Sequence, residues 1–132
     1  MTQAKGESVL LIDDDSFLLD MYAMKFKQCG VEIEAVSDPV AALEKLRKGA
    51  APAIILLVII LAFLNGFDFL EALKKENLAT GARVIVLSNQ GQQEDIERAT
   101  KLGAIGYIVK ASAIPSEVCD KALAIARGEQ HT

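Results

Sequence analysis

The sequence predicts an α/β domain built on a doubly wound parallel sheet. Three observations predict it. Five short aliphatic runs alternate with five stretches of helical periodicity over 132 residues. Most of the aliphatic runs are continuous, which suits strands covered on both faces. The connections are short, so each helix returns the chain to the same side of the sheet by a right-handed crossover.

The first strand covers residues 8–12 and ends in the acidic loop Asp13-Asp14-Asp15. Asp15 or Ser16 can cap the next helix. Leu18, Met21, Tyr22, Phe26 and Cys29 recur at helical spacing in it, and Gly30 stands where a helix-ending glycine belongs. Residues 31–36 alternate polar and apolar, which predicts a strand with one wet face near a sheet edge. Ser37-Asp38-Pro39 opens the second helix, with Ala42, Leu43 and Leu46 inward and Gly49 at its end. The third strand, residues 54–58, begins a long apolar stretch that runs to Leu64 and closes at the turn signal Asn65-Gly66. Phe67, Leu70 and Leu73 mark the third helix. Residues 83–88 form the fourth strand, with Ser88 last, and Asn89 to Gln93 read as a polar loop. Ile96, Ala99 and Leu102 mark the fourth helix, closed by Gly103. The fifth strand is residues 106–110, ending in Lys110. Pro115 opens the last helix, with Val118, Ala122 and Ile125 inward. A single domain over residues 8–128 follows, with short tails at 1–7 and 129–132.

Composition excludes several function classes. The chain is 52% hydrophobic with a formal net charge of −4, so its field repels nucleic acid and anionic membranes. The longest apolar stretch is interrupted by Pro52 and falls short of the roughly 20 residues a membrane-spanning helix needs. The polar start of the chain has no signal-peptide core. Cys29 falls at the end of the first helix and Cys119 near the start of the last. This placement predicts opposite sheet edges and two free thiols of a cytosolic protein.

In this fold, functional groups gather at the carboxyl ends of the strands. Those ends carry Asp13 and Asp14, then Val58, Ser88 and Lys110. An acidic pair is a hard-oxygen site suited to Mg²⁺. A hydroxyl and a lysine opposite it can hold the oxygens of a phosphoryl group. Such a pocket needs a carboxylate nucleophile at its centre, where this chain has Val58.

With Asp13, Asp14, Ser88 and Lys110 in that order and spacing, the chain resembles a response-regulator receiver domain, CheY-like, from about Val9 to Ile125. The resemblance implies a flavodoxin-like five-stranded parallel sheet in the order 2-1-3-4-5, flanked by five helices. It implies a switch aromatic at Tyr107. It also implies a Mg²⁺ site from Asp13, Asp14, the Val58 position and the backbone carbonyl of Ile60. Val58 departs from the family pattern at the phosphoacceptor Asp. Ala53, Ala62 and Ala111 depart from it where the family commonly has Asp, Pro and Pro. Valine has no oxygen with which to attack a phosphoryl donor or ligate a metal, so phosphotransfer should be absent and Mg²⁺ binding weak or lost.

The resulting expectation is a stand-alone, non-enzymatic, cytoplasmic receiver module of a two-component phosphorelay. It would be a natural pseudo-receiver or an engineered variant of an active parent, monomeric or weakly dimeric. It would act by protein contact with a sensor histidine kinase or phosphotransfer protein and a downstream target, without nucleic acid or membrane. A second expectation, from another class, is a binder of an apolar ligand or partner through the hydrophobic loop at residues 58–64.

Overall fold

The computed structural model describes residues 8–13, 16–49, 52–58, 66–78, 82–88, 93–109 and 115–126. The elements are β1 (Ser8–Ile12), α1 (Ser16–Gln28), β2 (Glu32–Val36), α2 (Pro39–Arg47), β3 (Ile54–Val58), α3 (Gly66–Glu76), β4 (Arg83–Ser88), α4 (Gln93–Lys101), β5 (Ala104–Val109) and α5 (Pro115–Ala126). All pairings are parallel and the order is β2-β1-β3-β4-β5, as the resemblance implies. Helix bounds differ in detail. Gly66 begins α3 rather than ending a loop, and Gln93 already belongs to α4.

Strand alternation divides the core into two layers. Val9, Leu11, Ile54, Leu56, Ile85, Leu87 and Ile108 pack with residues of α1 and α5. Leu10, Ile12, Ile55, Leu57, Val84 and Val86 pack with α2, α3 and α4 on the other face. Successive strand residues point to opposite sides, so a strand buried in both layers must be apolar at every position. This accounts for the continuous run Ile54–Leu57, each residue at most 1% exposed. β2, at the edge, keeps the predicted wet face: Glu32 and Glu34 are exposed, and such charges discourage edge-to-edge pairing.

The helix ends follow local chemistry. Asp38 is extended and its Oδ1 accepts from the Val40 N–H at 3.0 Å, ahead of Pro39 in the first turn of α2. α1 ends in a paired-bond cap. The N–H of Gly30 (φ 86°) donates to Lys27 O at 3.0 Å, and that of Val31 donates to Phe26 O at 3.4 Å. α3 ends the same way on Asn77 (φ 54°), where the sequence offers no glycine. α3 and α4 are linked by Arg98, which stacks 4.3 Å over the Phe67 ring, and by Lys74 Nζ, which donates to Lys101 O at 3.1 Å.

One expectation is overturned. Cys29 and Cys119 do not lie apart: they are joined as a disulfide, with Cα atoms 7.4 Å apart. Cys29 sits in the exposed turn after α1, and Cys119 is fully buried on α5. Cys119 Sγ also lies 3.9 Å from Lys25 O. α5 is therefore offset along the sheet, with its early turns against the last turn of α1. Ranking helix ends by strand polarity alone misses that offset.

Candidate functional site

The sheet register builds the site. Ile12 pairs with Leu57, Val58 with Leu87, and Ser88 with Val109. Asp13, Val58 and Ser88 thus terminate three neighbouring strands, β1, β3 and β4. Adjacent strands lie about 4.8 Å apart, so the Val58 position falls between the other two. The Asp13 N–H donates to Val36 O at 3.2 Å, which extends the β1–β2 ladder by one residue and fixes where the acidic loop begins.

Asp13 is 1% exposed and Ser88 5%. Among the described residues, apart from the Tyr22 phenol, they are the buried residues with a polar or charged side chain. Burying a carboxylate is costly unless its surroundings compensate. Among the described residues this buried carboxylate and hydroxyl lie together at the carboxyl-end edge of the sheet. Both residues engage neighbours there.

The sequence marks Tyr22 of α1 by its helical spacing alone. It is buried, and its phenol pKa is raised, first by desolvation and then by the negative charge of Asp13. The signal available in advance was a tyrosine at a core position of the helix that follows the acidic loop, since a buried phenol is a polar group in apolar surroundings. Tyr107 is half-buried on β5 and packs against the core layer of α2, α3 and α4. Asp14, Ile60 and Lys110 lie outside the described residues, as do Ala62, Ala111 and residues 59–65. The backbone of Val58 is described as the last residue of β3.

Of the predicted donor set, Asp13 lies among the described residues and suits a hard divalent cation in kind. Asp13 offers carboxylate oxygens, whereas valine at 58 offers no side-chain oxygen. Among the described residues, no three His, Cys, Asp or Glu side chains come together as a metal cluster. Elsewhere, a groove of about 420 Å³ opens at the amino ends of β1 and β2. It is lined by Ser8, Glu32, Glu34, Lys45 and Pro52, on the side opposite the buried polar pair. Among the described residues no helix is long and apolar enough to cross a membrane.

With this topology and polar edge in place, the chain belongs to the response regulator receiver domain family, which it matches over residues 9–121. Domains of this family are generally non-enzymatic modules of two-component signalling that interact with kinases and downstream targets, and they typically bind Mg²⁺. Among particular proteins, the chain is 31% identical to the chemotaxis protein CheY of Thermotoga maritima over 106 residues, covering 80% of this chain and 86% of that protein. It is 28% identical to the phosphate regulon transcriptional regulatory protein PhoB of Escherichia coli over 119 residues, covering 90% of this chain and 51% of that protein. The chain thus spans about half the length of PhoB. Its fold matches the CheY-like receiver domain protein from Methanospirillum hungatei with a TM-score of 0.80 at 23% identity, covering 92% of this chain and 94% of that one. The Francisella response regulator 1452 receiver domain matches with a TM-score of 0.79 at 24% identity, covering 92% and 98%.

Proposed function

We propose that this receiver domain has lost phosphoacceptor chemistry at Val58 and works as a pseudo-receiver, recognised through protein contacts. The observation that carries the reading is the pairing of retained and lost parts at one edge. Asp13 and Ser88 are the buried polar residues of the described structure, and the strand end between them is a valine. An acyl phosphate needs a carboxylate oxygen to attack phosphorus, and valine has none. Asp14, Lys110 and the Ile60 carbonyl complete the pocket in this reading, and Tyr107 is its switch aromatic. Mg²⁺ binding is weak, because one of two direct carboxylates is missing and Mg²⁺ gives up its waters reluctantly. The unit spans residues 8–128 and is cytoplasmic and non-enzymatic. Its partners are a histidine kinase or phosphotransfer protein and a downstream protein.

The test is Val58→Asp. With a small-molecule phosphodonor and Mg²⁺, the variant gains one phosphate by intact mass, and its Mg²⁺ affinity rises by roughly tenfold or more. If Val58→Asp folds, yet neither takes up phosphate nor binds Mg²⁺ more tightly, the rest of the pocket is not the receiver site proposed.

A further inference from the structure

We propose that Cys29 and Cys119 form a reversible thiol–disulfide latch between α1 and α5, closed by exchange with a small disulfide of the glutathione class. Three observations carry it. The two sulfurs meet although the residues are 90 apart in sequence. Their accessibility is divided: Cys29 is exposed and Cys119 is fully buried. The reduced state is also provided for, because Lys25 O lies 3.9 Å from Cys119 Sγ and can accept the bond of a free thiol.

The division of exposure sets the order of steps. The Cys29 thiolate attacks one sulfur of the donor disulfide, forming a mixed disulfide and releasing the first donor thiolate. The Cys119 thiolate then attacks Cys29 Sγ and expels the second. The two cysteine protons pass to the two released thiols. The protein gives up two electrons and the donor disulfide accepts them, so no further co-reactant is needed.

The Cα separation of 7.4 Å is slightly wider than the usual disulfide span of about 4.4–6.8 Å. In a reducing cytosol such a bond is transient, which suits a sensor better than a permanent staple. The latch is independent of the pseudo-receiver reading, since no phosphate or metal enters its chemistry.

The experiment uses the full chain, oxidised glutathione, and alkylation of remaining thiols under denaturing conditions before intact-mass measurement. The expected product is a monomer lighter by two hydrogens, with no alkyl group. After reduction the same chain takes up two. The oxidised form should unfold at a midpoint roughly 5–15 °C above the reduced form. Cys29→Ser, at an exposed position, should keep the reduced wild-type midpoint and lose the oxidant-dependent shift. Cys119→Ala should lose the shift as well. Two alkyl groups after oxidant, a glutathione adduct persisting on Cys29, disulfide-linked dimers, or equal midpoints in the two states would each overturn the latch.

Discussion

Asp13 and Tyr22 show how the buried edge works at the scale of single residues. The Asp13 charge sits where water cannot screen it well, so its field reaches the Tyr22 phenol on the neighbouring helix and disfavours a second negative charge there. Desolvation acts in the same direction and is the larger cause. The folded state thus favours the protonated phenol more than the unfolded state does. That contribution to stability is complete below the ordinary phenol value of about 10 and is lost as pH rises through the folded value. Denaturant unfolding measured across the alkaline range should show wild type losing stability above about pH 10 more steeply than Tyr22→Phe. Parallel curves would contradict a raised Tyr22 pKa in the folded state.

The most informative element is β5. Val84 pairs with Ala104 and Ile85 with Gly106, so Ile105 is an extra residue, a bulge left 46% exposed. The insertion reverses the facing of everything after it. Ala104 and Tyr107 pack in the α2–α4 layer, and Ile108 packs in the α1–α5 layer. Without the bulge, Tyr107 and Ile108 would exchange faces. Gly106 permits the close approach of α5 that follows: a Cβ there would meet Ile125 Cγ2 at 2.9 Å and Cδ1 at 3.0 Å. Two effects oppose each other in Gly106→Ala. Reduced backbone freedom in the unfolded chain favours alanine by up to about 1 kcal/mol. Overpacking against a β-branched side chain costs about 1–3 kcal/mol. The steric cost should win, giving a net loss of about 1–2 kcal/mol in chemical denaturation. A double-mutant cycle with Ile125→Val should show favourable coupling, and strict additivity would argue that α5 simply shifts away.

Much of this was legible in advance, for identifiable reasons. Ile54–Leu57 reads as a doubly covered strand because both faces demand apolar side chains. Asp38-Pro39 and Gly30 mark helix ends because few other residues satisfy those backbone geometries. Asp13 and Ser88 could be placed because a parallel sheet gathers its strand ends at one edge. What escaped has a common cause: it depends on shifts along an element, which residue periodicity does not record. The β5 bulge moved the strand start back to Ala104, although a glycine within a strand is a sign of such irregularity. The offset of α5 brought Cys119 to Cys29. Asn77 ends α3 in the left-handed conformation without a glycine, which helical periodicity does not mark.

At the scale of the whole molecule, two apolar layers clamp a five-stranded sheet, and among the described residues the buried Asp13 and Ser88 lie at the carboxyl ends of its middle strands. This is the receiver architecture, and β3 at the centre of its sheet ends at Val58. The scaffold does not need a carboxylate at that position, because the third strand is held by Leu56 and Leu57 and their neighbours in both layers. The framework thus stands without a carboxylate at 58, and the loss of phosphoacceptor chemistry there is the proposal to be tested. The consequence is directly measurable: the unmodified chain is incubated with a small-molecule phosphodonor and Mg²⁺, and its intact mass is followed over time. The account predicts that the mass stays that of the unmodified chain while an active receiver treated in parallel gains a phosphate. A phosphate adduct accumulating on this chain in a Mg²⁺-dependent manner would contradict it.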